Sequence, residues 1–129
     1  MRKQIKASIN KEINHIVNDL KKYREVKAVI WFGSSLNGKF KPISDIDIAV
    51  VLENASKKVE AEIFSRYSNK VDLVNFLRLP RYIQFEVLKT GRIIHVKDKD
   101  YLSELARKVI RQYLEMSYFY EIRSKRLLT

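Results

Sequence analysis

Two aspartates separated by one residue, Asp45 and Asp47, follow Gly33-Ser34 after ten intervening residues and open the apolar run Ile46-Asp47-Ile48-Ala49-Val50-Val51. In a strand, alternate side chains share a face, so Asp45 and Asp47 are expected to project together while Ile46 and Ile48 point into a core. Two carboxylates on one face of an apolar strand repel each other, and each is costly to desolvate. A hard divalent cation between them offsets both costs, and Mg²⁺ held by one or two carboxylates usually also takes substrate phosphates. An isolated D-x-D is common by chance, and two solvated residues at a strand entrance would account for it.

The residues upstream shift that balance. Val26-Lys27-Ala28-Val29-Ile30-Trp31-Phe32 is rich in strand formers and breaks at Gly33-Ser34-Ser35-Leu36-Asn37-Gly38 into a small-residue turn. Gly33 allows close backbone approach, and the N–H groups after it, with the Ser34 hydroxyl, can receive phosphate oxygens. A third acid, Asp72, stands in the short apolar run Lys70-Val71-Asp72-Leu73-Val74-Asn75-Phe76. If that strand lies beside the one carrying Asp47, three carboxylates converge. Such a set can hold two Mg²⁺ ions and orient an in-line displacement at phosphorus. Read alone, Asp72 would be a surface residue at a strand end.

Gly33-Ser34, the ten-residue gap, Asp45-x-Asp47 and the later Asp72 resemble the minimal nucleotidyltransferases of the DNA polymerase β-like superfamily, over roughly the first three-quarters of the chain. The resemblance implies an α/β (α+β) fold with a small mixed sheet flanked by helices. It also implies Mg²⁺, ATP as substrate, and transfer of a nucleoside monophosphate to an acceptor hydroxyl. Carried over by position, Gly33, Ser34, Ser35 and Ser44 would bind the nucleotide. Asp45 and Asp47 would ligate both metals, and Asp72 would ligate the catalytic metal and assist the attacking hydroxyl. Many members place an arginine directly after Gly-Ser and another two residues on. Here Ser35 and Asn37 stand in those places, which implies a weaker grip on the triphosphate.

At 129 residues the chain is read as one domain, residues 1–129, with a single modest core. It contains no cysteine, which excludes disulfides and thiolate metal sites. No apolar run approaches membrane-spanning length and no leader pattern opens the chain, so a cytoplasmic protein is expected. Lys and Arg number 26 against 15 acids, a formal net charge of +11. That excess favours polyanions, whether nucleotide phosphates, an acidic protein or nucleic acid. Nucleic acid is the less favoured partner because no Gly-aromatic ribonucleoprotein motif is present, and a Lys/Glu-rich thermophile surface would read the same way.

Several elements must position these residues. Ile5, Ile9, Ile13, Ile16, Leu20 and Tyr23 mark an amphipathic helix of about 20 residues. Ser56 is expected to cap a helix reaching about Tyr67, and Pro80 and Thr90-Gly91 bracket another. Arg92 to Val96 reads as a further strand, in which His95 is structural rather than a ligand. The last 30 residues form a second long helix whose buried stripe is read as Leu102, Leu105, Val109, Tyr113, Met116 and Tyr120. Tyr118, Phe119 and Tyr120, followed by Arg123, Lys125 and Arg126, present aromatics on more than one side, as an interface does. The expected occupant is a second copy of the chain or a partner protein.

Small superfamily members without a separate acceptor-binding domain resemble the antitoxin half of toxin–antitoxin pairs, whose companion is a HEPT-domain protein that receives AMP on a tyrosine. The resemblance therefore implies AMP transfer from ATP to a HEPT-domain partner. Two alternatives stand beside it: a catalytically weak module that neutralises its partner by contact, and transfer to a small molecule such as an aminoglycoside.

Overall fold

The computed structural model describes residues 2–33, 36, 46–65 and 71–128, with side chains described from residue 8 to residue 126. The elements run α1 (Arg2–Leu20), β1 (Val26–Phe32), β2 (Ile46–Leu52), α2 (Lys57–Phe64), β3 (Val71–Asn75), a one-turn 3-10 helix (Phe76–Arg78), α3 (Arg81–Thr90), β4 (Arg92–Val96) and α4 (Lys99–Leu128). The four strands form one sheet in the order β3-β2-β1-β4. β1 is antiparallel to both β2 and β4, whereas β2 and β3 are parallel and joined through α2. A parallel pair needs such a crossover, because a tight turn can only reverse the chain.

Both faces of the sheet are covered. Ile46, Ile48, Val50 and Leu52 of β2 alternate onto one face, where they meet Val29 and Trp31 of β1, Ile13, Ile16 and Leu20 of α1, and Ile63 of α2. Ala49 and Val51, on the other face, pack with Ala28, Ile30, Phe76, Val87 of α3, and Leu102 and Val109 of α4. The face that carries Asp47 therefore becomes a second core two residues further along β2. Each fully buried Val, Ile, Leu or Phe contributes about 1.5–3 kcal/mol by leaving water, so both layers are needed to hold so short a sheet.

Local chemistry explains most of the boundaries. The Ser56 hydroxyl accepts from the Val59 N–H at 3.2 Å and caps α2. This helix closes at Phe64 with Ser65 as its cap; Tyr67, where it was expected to end, lies outside the described residues. Phe76 starts the 3-10 turn instead of extending β3, because the Asn75 side chain accepts from the Leu77 N–H and turns the chain. Gln84 donates to the Phe76 carbonyl at 3.0 Å and ties α3 to that turn from within the core. Gly91 allows the end of α3 to press on β1: a Cβ there would stand 2.7 Å from Ile30 Cγ2 and 3.3 Å from the Trp31 carbonyl. Lys97 Nζ, just past β4, donates to the carbonyls of Lys21 and Tyr23 and so ties down the turn that follows α1.

The terminal helix departs from its expected pattern. Leu102, Leu105, Val109 and Tyr113 do line the packed face, and Tyr113 stacks on Phe85 with ring centroids 4.0 Å apart. Met116 and Tyr120 do not belong to a buried stripe; both are exposed. The 3.6-residue period continues past Tyr113, but the second core does not extend beneath it. Among the described residues, no helix is long and apolar enough to cross a membrane.

Candidate active site

β1, β2 and β3 bring their chemistry to one end of the sheet. β1 ends at Phe32, which is the register partner of Asp47 near the start of β2. In the parallel pair on the other side, Asp47 is the register partner of Asp72 near the start of β3. Partners across adjacent strands share a face at a strand spacing of about 4.8 Å. The two carboxylates therefore project side by side, Asp47 half-buried and Asp72 exposed. Like charges directly opposite one another destabilise a sheet, and a cation between them would offset that repulsion.

Gly33 closes the third side. Its φ is +88°, a conformation that side chains rarely tolerate. A Cβ at this position would overlap Asp47 Oδ2 and stand 3.2 Å from its Cγ. The turn after β1 thus lies directly on the Asp47 carboxylate, and only a residue without a side chain permits it. The cradle and the all-oxygen donor set both suit a hard divalent ion with a phosphate beside it.

The sequence expectations for Ser34, Ser35, Ser44 and Asp45 lie outside the described residues. Among the described residues no three metal-ligating side chains cluster, and the aspartates brought together are Asp47 and Asp72. One residue at this end was not singled out from the sequence. Arg92 opens β4 as the register partner of Trp31, with its guanidinium carbon 5.9 Å from the Trp31 ring centroid. It places a cation at the Gly33 end of the sheet, but on the face shared by Trp31 and Ile48, opposite the one that carries Asp47. Only the placement of β4 beside β1 reveals it, since nothing around Arg92 in the sequence marks it.

His95, the register partner of Val29, is on the same strand and the same face, towards α1. Its Nε2 is buried without a hydrogen-bond partner among the described residues. Desolvation, with Lys97 and Lys21 adding to it, holds the imidazole below its ordinary range. At the far end of β3 the Glu60 carboxylate takes Arg78 at 2.9 and 3.1 Å and Asn75 at 2.7 Å, and is held below the usual carboxylate range by those bonds. This clamp fixes the 3-10 turn to α2.

A parallel β2-α2-β3 unit, an antiparallel β1 and two neighbouring aspartates at the mouth of a glycine turn thus meet at one end of the sheet. The sequence model described as polymerase beta, nucleotidyltransferase matches residues 14–100. The chain belongs to this family. A 70-residue stretch is 31% identical to a Methanocaldococcus jannaschii protein named a protein adenylyltransferase, covering 54% of this chain and 56% of that relative. The chain thus matches little more than half of that relative's length.

Among solved structures, a chain of a toxin–antitoxin crystal structure with AMP-PNP superposes with a TM-score of 0.67 at 22% identity, covering 92% of this chain and 98% of the other. A chain from the complex of a tri-AMPylated Shewanella oneidensis HEPN toxin with MNT antitoxin gives 0.60 at 21% identity, covering all of both. A nucleotidyltransferase structure from Sulfolobus solfataricus gives 0.52 at 24% identity, covering 74% and 88%. At these identities the likeness establishes the polymerase β-like fold.

Proposed function

We propose that the protein is a Mg²⁺-dependent nucleotidyltransferase that moves AMP from ATP to a hydroxyl of a partner protein, and that it serves as antitoxin to a HEPN-type (HEPT-domain) toxin. The observation that carries this is the Gly33–Asp47–Asp72 arrangement: a glycine turn resting on one carboxylate, with a second carboxylate in register beside it. Family membership, the adenylyltransferase name of the archaeal relative and the toxin complexes among the structural neighbours support it.

Asp47 and Asp72, with Asp45, are the residues that would hold the ions. When bound there, Mg²⁺ neutralises charge on the phosphate oxygens. Gly33, with Ser34, Ser35 and Ser44, would receive the triphosphate. Asp72, the exposed carboxylate, orients the acceptor hydroxyl and draws off its proton as the oxygen attacks the α-phosphorus. The bond from that phosphorus to the bridging oxygen breaks, and pyrophosphate leaves. Positioning and electrostatics do the rest.

Incubation with ATP, Mg²⁺ and a HEPT-domain partner protein tests this: the partner gains one or more AMP units, and Asp72→Ala stops the gain. A second reading, neutralisation by contact alone, draws on Ser35 and Asn37 standing where many relatives carry arginine. A partner that is bound and silenced but never gains mass would establish that second reading. Transfer to a polycationic small molecule is disfavoured by the open groove along α4, where Arg107, Lys108 and Arg111 outnumber the acid Glu104.

A further inference from the structure

We propose that Glu60 is a positioning residue: through Asn75 it fixes where β3 stops, and so holds Asp72 opposite Asp47. Glu60 touches no substrate, and its consequence for catalysis rests on the role proposed for the two aspartates. β3 is the five-residue edge strand of the sheet, paired with β2. Val71 is its one buried side chain; Leu73, Val74 and Asn75 are half-buried and Asp72 is exposed. Apolar burial therefore specifies the register of this strand only weakly.

Charge opposes the register that β3 adopts, because Asp72 stands against Asp47. Sliding β3 by two residues towards the end of β2 would keep every side chain on its face. It would carry Asp72 about 7 Å along, opposite Ala49, and set Lys70 against Asp47. Opposite charges would then replace like ones. A further contact has to hold the observed pairing.

The Glu60 carboxylate supplies it. Asn75 shares the α2 face of β3 with Val71 and Leu73, and its Nδ2 donates to Glu60 Oε1 at 2.7 Å. Arg78 adds two bonds to the same carboxylate, at 2.9 and 3.1 Å. An ionised carboxylate can only accept, so it takes the Nδ2 side of the amide and leaves Oδ1 for the Leu77 N–H at 3.1 Å. That last bond turns the chain after Asn75 and delivers Phe76 to the second core, where Gln84 donates to its carbonyl. Glu60 lies in the first turn of α2, beside the Ser56 cap, so the end of β3 is tied to the start of its own crossover helix. The two-residue slip would break the Asn75 bond and pull against Phe76.

The test compares the full chain with Glu60→Ala and with the exchange of Glu60→Gln plus Asn75→Asp, which rebuilds the cross-link with donor and acceptor reversed. NMR without nucleotide reads the backbone NOEs between β2 and β3 and the exchange rates of amide protons. AMP transfer to a HEPT-domain protein, measured well below the melting temperatures, gives kcat and KM for ATP. In Glu60→Ala the Asp47–Asp72 NOEs are lost and β3 amides exchange about tenfold faster or more, with β1 amides unchanged. kcat falls by about a hundredfold, the scale of a misplacement of about 1 Å, while KM for ATP stays within about twofold. The exchange variant restores the NOEs and brings kcat back to within about threefold of the wild type. Glu60→Gln alone, which keeps the shape of the side chain, moves each readout in the same direction as Glu60→Ala. Unchanged NOEs and exchange in both single variants overturn the proposal, as does equal loosening of β1 and β3, an exchange variant without the restored register, or full transfer from a chain whose register is lost. A wild type that never transfers AMP overturns the proposed function instead, and the NMR arm still decides whether Glu60 holds Asp72 in place.

Discussion

The Cα of Gly33 faces the carboxylate of Asp47 across a gap too small for a methyl group, with the glycine at φ +88°. Steric exclusion and backbone conformation thus impose the same residue type at one position. Gly33→Ala is expected to cost about 1–3 kcal/mol from the left-handed conformation and the displaced carboxylate. It should also abolish the rise in melting temperature caused by ATP with Mg²⁺. Differential scanning fluorimetry with and without nucleotide reads both effects.

Replacing Asp47 and Asp72 together by Asn separates function from stability. The two charges are register partners, so neutralising them together relieves their repulsion and should change stability by no more than about 1 kcal/mol. Nucleotide-dependent stabilisation should disappear, as it should for the wild type in EDTA. Transfer should fall by about three orders of magnitude or more, the scale of losing metal-assisted charge stabilisation.

His95 makes stability depend on pH. Its folded pKa is lowered by desolvation and by Lys97 and Lys21, so the unfolded chain binds a proton that the folded chain resists. Stability is then fully present above the unfolded value near 6.5, and is lost as pH falls through that value towards the lowered folded one. Urea midpoints for the wild type should fall across this window, and His95→Gln should flatten that part of the profile. Glu60, also lowered, contributes stability above its ordinary value of 4.5 that is lost at more acid pH, a separate step that Glu60→Gln removes.

The two halves of α4 and its neighbours should respond oppositely to truncation. Phe76→Ala empties a fully buried site in the second core and should cost about 3–5 kcal/mol. Phe119→Ala, on the overhang, should stay within about 0.5 kcal/mol. Paired denaturation curves check both values.

Local chemistry by itself determined much of this protein. The strand formers from Val26 to Phe32 and Ile46 to Leu52, the Ser56 cap and the stop at Thr90-Gly91 are short-range signals, and the elements form where those signals place them. The Gly33 turn and the acids at 47 and 72 were legible for the same reason: each needs only its own residue type and neighbours. Other features required the tertiary structure. Spacing along the chain could not place Asp72 opposite Asp47, because that register depends on how α2 carries the chain back into a parallel pair. Nor could it bring Arg92 to the Gly33 end, which follows from β4 taking the free edge of β1. The helical period assigned Met116 and Tyr120 to a buried stripe, but periodicity chooses only the side of a helix. Whether a core lies under that side is decided by how far the sheet and α3 extend, and past Tyr113 the second core does not continue.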